Sequence, residues 1–337
     1  MFHLFPFKKG FILPSGFLFL LVSCNGPSRK PAPESGEVKK AKVAVPVFNA
    51  DSAYSFVSRQ VAFGPRVPNT EAHRKCAAFL VSTLKGYAKE VIVQQGQLVA
   101  FNGDLLNFQN IIATFRPETQ NRILLCAHWD SRPWADHDPD PKNHRKPIDG
   151  ANDGASGTGV LLEVARQLSL NPPPTGIDII LFDAEDYGPP QDRQTGEDTG
   201  AWWGLGSQYW ARQPHKTGYY AKFGILLDMV GAKGATFLLE GISMNYAAPV
   251  ARNVWSVAGR IGYSDYFFPE SGTYFTDDHY YINRILNIPT IDIIHLDRTS
   301  ETGFYKTWHT VKDNMESIDR NTLKAVGQTV LTVIYED

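Results

Sequence analysis

The chain is poor in cysteine, and neither sign of charge predominates. Its 337 residues include 33 basic and 35 acidic side chains, which gives a net charge of −2. The concentrated basic surface that nucleic-acid binding usually requires is therefore not indicated, and we expect no nucleic-acid partner. Charged residues make up 20% and hydrophobic residues 43% of the chain, which argues against disorder. This composition favours a catalytic or small-ligand-binding domain.

The apolar run near the N-terminus is too short to span a membrane comfortably. Lys8 and Lys9 precede Phe11–Val22, a pattern typical of a secretory signal. The run ends in Leu21-Val22-Ser23-Cys24, which resembles the lipobox of bacterial lipoproteins, where the cysteine becomes the lipidated first residue after cleavage. We therefore predict a lipoprotein-type signal peptide at residues 1–24. The alternative is an ordinary signal peptide with an incidental cysteine.

These features predict an exported, membrane-anchored bacterial lipoprotein that faces the periplasm or the cell surface. A single lipid-modified end would anchor the chain without a transmembrane helix. Residues 25–45 are rich in Pro, Ser, Lys and Gly and are predicted to be a linker, and residues 46–337 a single catalytic domain. Export would allow Cys76 and Cys126 to form a disulfide. We expect two buried free thiols instead, because free cysteine packs as a small hydrophobe.

Apolar strands alternate with amphipathic helices along the predicted domain. This order predicts an α/β fold, a three-layer αβα sandwich with a central mixed, mostly parallel sheet. The first strands are joined by short links and are expected to be antiparallel neighbours. The strands are predicted at 90–95, 109–115, 122–127, 176–182, 222–228 and 290–294. Helices are predicted at 51–61, from 70, and at 155–170, 204–212, 245–261, 278–286 and 319–335.

Four short segments carry potential metal ligands, and the acidic ones follow strand ends. They contain Asp153, the pair Glu185-Asp186, Asp228 and His309. Each has an ordinary interpretation alone: a helix cap for Asp153, solvated or capping acids, and a packed histidine. Ligands of open α/β sheets bind beyond the carboxyl ends of the strands, so these side chains are expected to converge. Three ligands with an open position are typical of catalytic zinc, and a spare carboxylate suits acid/base chemistry.

The joint pattern resembles the zinc-dependent aminopeptidase (M28) superfamily and, within it, the glutaminyl-peptide cyclotransferases. The motifs that carry the resemblance are CAHWDSR (126–132), GANDGASG (150–157), LFDAEDYGPPQD (181–192), LGSQYW (205–210), LLDMVGA (226–232), TDDHYYI (276–282) and TWHTVKDNMESID (307–319). The resemblance implies one Zn²⁺ bound by Asp153, Asp186 and His309. It implies Glu185 as acid/base residue and Asp228 and Asp277 as acids hydrogen-bonded near it.

The resemblance also implies a substrate pocket and a reaction. Trp308 would be the pocket indole, Trp202 and Trp203 are candidates for a second wall, and Phe304 is a further candidate for substrate contact. For Trp202 and Trp203, ordinary loop packing is an equal alternative. The implied reaction converts the N-terminal glutamine of peptides and proteins into pyroglutamate and releases ammonia. We expect the protein to be a monomer.

A two-zinc aminopeptidase is the alternative, with His128 and Asp228 as ligands of the second metal. Trp308 before the metal histidine, the run Asp277-Asp278-His279 and the run Pro190-Gln191-Asp192 favour the cyclotransferase. Position 186 departs from the animal enzymes, because it is Asp here and Glu there. A catalytically silent binding protein is the third alternative, and it is disfavoured because no ligand and no acid/base residue is missing.

One further polar segment, Trp129–Asp149, could suggest a metal site. It carries Asp136, His137, Asp138, Asp140 and His144. Their spacing is loose and the segment is rich in proline, so we predict a solvated lid loop.

Overall fold

The computed structural model describes residues 43–194 and 199–337. The predicted signal peptide at 1–24 and nearly all of the predicted linker at 25–45 lie outside the described residues. Residues Val43–Asp337 cluster as one unit. None of the helices in the described ranges combines the length and the hydropathy that crossing a membrane requires.

Eight strands form in the described part of the chain, six of them in one central sheet. They are β1 (Glu90–Val99), β2 (Leu105–Phe115), β3 (Arg122–His128), β4 (Gly176–Phe182), β5 (Phe223–Asp228), β6 (Phe237–Leu239), β7 (Phe267–Ser271) and β8 (Thr290–Ile294). The central sheet has the order β1-β2-β4-β3-β5-β8. Strands β4, β3, β5 and β8 are mutually parallel, whereas β1–β2 and β2–β4 pair antiparallel. The predicted mixed, mostly parallel sheet is therefore confirmed.

Helices cover both faces of this sheet. They are α1 (Ala50–Val61), α2 (Glu71–Lys85), α3 (Ala155–Leu170), α4 (Leu205–Arg212), α5 (Gly241–Arg260), α6 (Asp278–Tyr281) and α7 (Arg320–Glu336). Successive strand residues point to opposite faces, so Leu125 belongs to the apolar cluster that includes residues of α1, α2, α3, α5 and α7, whereas Cys126 belongs to the cluster that includes residues of α4. Burial of both faces explains why β3 and β4 are continuous apolar runs rather than alternating ones.

Several boundaries differ from the predicted ones for local reasons. Helix α5 begins before the predicted Asn245, because Glu240 caps it and accepts hydrogen bonds from the first-turn amides. The predicted helix 278–286 is divided into α6 and the π-helical turn Ile282–Leu286. The small parallel sheet of β6 and β7 was not predicted, because its strands are short and irregularly paired. Cys76 and Cys126 are buried free thiols, as expected.

Close contact between α3 and the sheet brings the start of this helix to the strand ends. Helix α3 has no side-chain cap, and its N-cap Gly154 has a φ of 97°, a conformation that favours glycine. A Cβ atom at Gly157 would collide with the carbonyl oxygen of Leu227 in β5. Because Gly154 is the N-cap and no side chain caps this helix, Asp153 does not cap α3, and its carboxylate is available for another role.

Candidate active site

A cavity of about 360 Å³ lies at the carboxyl edge of the parallel strands. Asp228 is the last residue of β5, the pair Glu185-Asp186 follows β4, and Asp277 caps α6. The cavity is lined by nine of the ten predicted site residues: Asp153, Glu185, Asp186, Trp203, Asp228, Asp277, Phe304, Trp308 and His309. Trp202 belongs to the short helix Thr199–Trp202 and is not among the described lining residues.

Asp153, Asp186 and His309 form a buried group of potential ligands. Their ligand atoms lie within 4.8 Å of one another. The Nε2 atom of His309 is 3.5 Å from Oδ2 of Asp153 and 3.4 Å from Oδ1 of Asp186. Oδ2 of Asp186 is buried and has no hydrogen-bond partner among the described residues. Two carboxylates and one imidazole on a cavity wall are a donor set that fits zinc with an open position.

The charges around this group of potential ligands also favour the binding of a cation. Burial and Arg132 act to lower the pKa of His309, but Asp186 and Asp153 overcome both effects and raise it. Burial raises the pKa of Asp186, and the neighbouring charge of Asp153 raises it further. A divalent cation would relieve this repulsion between buried carboxylates.

His128 forms a second group of potential ligands with Asp153 and Asp228. Its Nε2 atom is 3.1 Å from Oδ1 of Asp153 and 3.2 Å from Oδ1 of Asp228. Burial opposes protonation of His128, but hydrogen bonds with Asp130, Asp153 and Asp228 raise its pKa well above the usual value. Asp153 thus belongs to both groups. The geometry accommodates the predicted single ion and the alternative pair of ions.

Glu185 lies beside the first ligand group and is well placed for proton transfer. Its backbone N–H donates to Oδ1 of Asp130 at 3.1 Å, and the N–H of Asp186 donates to Oδ2 at 3.2 Å. Asp130 therefore fixes the turn that carries both acids. Burial raises the pKa of Glu185 well above its usual value, and the charges of Asp277 and Asp186 add to the effect.

Asp228 and Asp277 extend this acidic group. Burial raises the pKa of Asp228 to about 7, and the charges of Asp153 and Asp277 contribute. Burial also raises the pKa of Asp277, whose carboxylate accepts a hydrogen bond from the N–H of Asp278. Because the charge of Asp277 raises the pKa of both Glu185 and Asp228, the protonation of these acids is linked through Asp277.

Aromatic rings enclose the ligand group. The Trp308 ring stacks on His309 with centroids 3.7 Å apart, and Phe304 packs on Trp308 at 4.5 Å. The Trp203 ring lies 6.1 Å from the His309 ring at an interplanar angle of 7°. Trp308 and Trp203 therefore form two apolar walls of the cavity, whereas Trp202 is not among the described residues that line it.

The backbone at the site adopts a conformation that side-chain-bearing residues rarely take. Ala184, Met229 and His309 have φ values of 54°, 48° and 52°. These residues directly precede Glu185, directly follow Asp228 and supply the imidazole. Each such residue costs on the order of 1–3 kcal/mol, and the cost persists only where the surrounding structure enforces the conformation.

The prediction of a solvated lid loop for Trp129–Asp149 is wrong for the residues nearest the site. Arg132 is fully buried, and Asp136 and Asp138 are almost so. Asp136 pairs with Arg132, and Asp138 accepts a hydrogen bond from the N–H of Val311 at 3.1 Å. The carboxylates of Asp136 and Asp138 therefore make structural contacts within the protein rather than facing solvent. Arg132 stands in the CAHWDSR motif, which was the sequence signal for its presence at the site.

The described fold and site define a metal-dependent enzyme of the zinc exopeptidase type. The chain belongs to peptidase family M28, whose sequence profile matches residues 110–334. This assignment confirms the predicted superfamily. The family and the ligand set agree on zinc as the ion.

Solved structures of similar chains include both glutaminyl cyclases and Zn-dependent exopeptidases. A glutaminyl cyclase of Bacteroides thetaiotaomicron, bound to N-acetylhistamine, is 54% identical, with a TM-score of 0.85, and the match covers 87% of this chain and 100% of that one. A Zn-dependent exopeptidase of Parabacteroides distasonis is 56% identical, with a TM-score of 0.85 and the same coverage of both chains.

Curated relatives are more distant in sequence and again include both an aminopeptidase and glutaminyl-peptide cyclotransferases. Aminopeptidase YwaD of Bacillus subtilis is 28% identical over 81% of this chain and 54% of its own length. A glutaminyl-peptide cyclotransferase of Gloydius blomhoffii is 24% identical over 68% of this chain and 65% of its own length. The chain thus spans between half and two thirds of the length of these two relatives.

Proposed function

We propose that the protein converts the N-terminal glutamine of peptides and proteins into pyroglutamate with release of ammonia. One observation carries the proposal: a single cavity brings Glu185 and the group Asp153, Asp186 and His309 together between two indole walls. The similarity over the full length of a bacterial glutaminyl cyclase supports the same reaction.

The reaction joins two groups of one residue, so orientation is the main task. The α-amine attacks the side-chain amide carbon, a C–N bond forms, and the C–N bond to the leaving ammonia breaks. A fixed near-attack geometry can contribute about 7–11 kcal/mol. A zinc ion bound by Asp153, Asp186 and His309 would supply Lewis-acid polarisation of the amide carbonyl. Trp308 and Trp203 confine the glutamine side chain and exclude water.

Glu185 moves the proton. Its carboxylate accepts a proton from the attacking amine and returns it to the departing nitrogen, a transfer that contributes about 10²- to 10⁴-fold. Asp277 acts through Glu185, because its charge opposes the ionisation of Glu185 and raises the pKa of that carboxyl, and Asp277 also raises the pKa of Asp228. We propose one zinc ion for this reaction.

A two-zinc aminopeptidase is the second candidate, favoured by the group His128, Asp153 and Asp228. A peptidase would use Glu185 to deprotonate water rather than an amine. A silent binding protein would be expected to lack Glu185 or a metal ligand, and this chain retains all of them.

A direct comparison of two substrates distinguishes the candidates. We expect the purified zinc-loaded protein to release ammonia from a Gln-dipeptide and to leave leucine anilide intact. The physical reason is that the α-amine of the Gln-dipeptide is tethered to the amide it attacks, whereas leucine anilide has no side-chain amide and would need an activated water. Enzymatic ammonia assays and absorbance of the freed aniline measure the two reactions. Anilide hydrolysis without ammonia release would contradict the proposal and favour the aminopeptidase.

We also propose that the chain is an exported lipoprotein anchored through Cys24, on the basis of the lipobox-like run that ends there. Replacing Cys24 with Ser is expected to release the protein from the membrane fraction, because the acylated thiol would be lost. Fractionation of cells that express either form measures the change. A Ser23→Ala variant is the control and should stay membrane-bound, and membrane retention of Cys24→Ser would refute the anchor.

A further inference from the structure

Arg132 is a buried cation that contacts several parts of the proposed metal site at once. It is fully buried, and its Nε and Nη2 donate to the two carboxylate oxygens of Asp136 at 2.7 and 2.8 Å. Its Nη1 donates to Oδ1 and to the backbone oxygen of Asp186, both at 3.2 Å. Its Nη2 also donates to the carbonyl oxygen of Pro189 at 3.3 Å. The planar fork of the guanidinium allows this set of simultaneous contacts.

The contact with Asp186 fixes the orientation of its carboxylate. Oδ1 of Asp186 accepts the hydrogen bond from Arg132 and lies 3.4 Å from Nε2 of His309, while Oδ2 is buried without a hydrogen-bond partner among the described residues. Arg132 thereby holds the direction in which Asp186 presents its oxygens to an ion.

The contact with Asp136 reaches the metal histidine. Nε2 of His309 faces Asp153 and Asp186, so Nδ1 is the remaining ring nitrogen. Oδ1 of Asp136 lies 3.6 Å from this Nδ1, which is buried and has no hydrogen-bond partner among the described residues. Asp136 is therefore the nearest carboxylate in place to accept a hydrogen bond from Nδ1, the contact that fixes the tautomer and the ring orientation of a metal-binding histidine. Asp136 is itself held by Arg132 and by the N–H of Gln191 at 2.9 Å.

The same guanidinium supports one wall of the cavity. Its central carbon lies 4.8 Å from the centroid of the Trp203 ring, a cation–π distance. Trp203 is nearly parallel to His309. One cation therefore contacts a metal-ligand carboxylate, the partner of the metal histidine, and an indole of the pocket.

We propose that Arg132 is a positioning residue of the metal site, which orients Asp186 directly and His309 through Asp136. The inference rests on the proposed zinc site. It assigns to the loop after β3 a role beyond packing: the loop sets the affinity and the geometry of the bound ion. Loss of such supporting contacts typically weakens metal binding about 10- to 100-fold.

A second buried pair in the same chain provides a matched control. Arg122 donates to both oxygens of Asp178 at 2.7 and 2.8 Å. It stands at the first residue of β3, whereas the site lies beyond the last residue of this strand. Arg122→Lys and Arg132→Lys each remove a bidentate contact and keep the positive charge. Both variants are therefore expected to lower the stability of the fold, but only Arg132→Lys should alter the site.

The test measures zinc affinity by competition with a chelator on folded protein, with urea unfolding as a check of the folded fraction. We expect Arg132→Lys to bind zinc about 10- to 100-fold more weakly and Arg122→Lys to bind it as the wild type does. Cobalt substitution adds a spectroscopic readout: the visible absorption bands of Co²⁺ should shift in Arg132→Lys alone. Wild-type zinc affinity in Arg132→Lys, or an equal loss in Arg122→Lys, would overturn the inference.

A third variant keeps the test decisive if Arg132→Lys does not fold. Asp136→Asn preserves the size of the side chain and removes the carboxylate that faces His309. We expect it to weaken zinc binding in the same range, and unchanged affinity would overturn the inference equally. If the wild type itself binds no zinc, the proposed function fails. If it binds zinc and the variants do too, only the role of Arg132 fails.

Discussion

Replacing Glu185 with Gln is expected to remove nearly all turnover of glutaminyl peptides and to leave zinc binding in place. The amide has the same shape as the carboxylate but cannot accept the proton of the attacking amine. General acid–base catalysis contributes about 10²- to 10⁴-fold, so kcat/KM should fall by that factor. Ammonia release from a Gln-dipeptide measures turnover, and metal analysis of the purified protein measures zinc.

The pH dependence gives the same prediction a second readout. Burial raises the pKa of Glu185, so its active carboxylate form is gained as pH rises and lost as pH falls. Wild-type kcat/KM should therefore decline on the acid side, and the residual activity of Glu185→Gln should lack this decline. Glu118→Gln, at an exposed glutamate, is the control and should behave as the wild type. A Glu185→Gln variant with more than a tenth of wild-type turnover would contradict the proton-transfer role.

Removal of zinc is expected to abolish turnover and also to lower the stability of the fold. Asp153, Asp186 and His309 are buried together, and without a cation the two carboxylates repel each other. A ligand that binds only the folded state adds about 2.7 kcal/mol at a free concentration of 100 Kd. The midpoint of urea unfolding should therefore fall after chelation, and added Zn²⁺ should restore both the midpoint and the activity.

A variant of one proposed zinc ligand distinguishes the loss of stability caused by zinc removal from damage caused by the chelator. Asp186→Asn should unfold at the same urea concentration with and without zinc, because its site no longer holds the ion. Asp265→Asn, at an exposed position, should keep the full response to zinc. Full activity of the metal-free wild type would refute the zinc mechanism.

Three of the acids that the sequence revealed share one property: they end or closely follow an apolar strand. Asp228 ends β5 and Glu185-Asp186 follow β4, and parallel strands necessarily bring such positions to one edge. The fold was predictable for the same reason, since strands buried on both faces are recognisable as apolar runs. The roles assigned to these residues remain proposals that the experiments above address.

Arg132 stands in one of the motifs that carry the family resemblance, and Asp136 stands in the predicted lid loop, but neither could be assigned a role at the site, because the sequence does not encode burial in an irregular loop. They stand four positions apart, a spacing that brings side chains together in a helix but has no such meaning in a proline-rich segment. Their importance depends on distant partners, namely Asp186 and His309. The division of the predicted helix 278–286 likewise depends on tertiary contacts, because intrinsic propensity does not distinguish a π-helical turn from an α-helix.

The left-handed residues Ala184, Met229 and His309 have a consequence for engineering this enzyme. Glycine adopts the same backbone angles without strain, so Ala184→Gly would relax the backbone at a small loss of packing, whereas Met229→Gly would also empty the place of a buried side chain. Relaxation at Ala184 is expected to raise thermal stability and, at the same time, to loosen the orientation of the adjacent Glu185. Thermal stability and turnover are therefore expected to be opposed at position 184, and selection for one alone would lower the other.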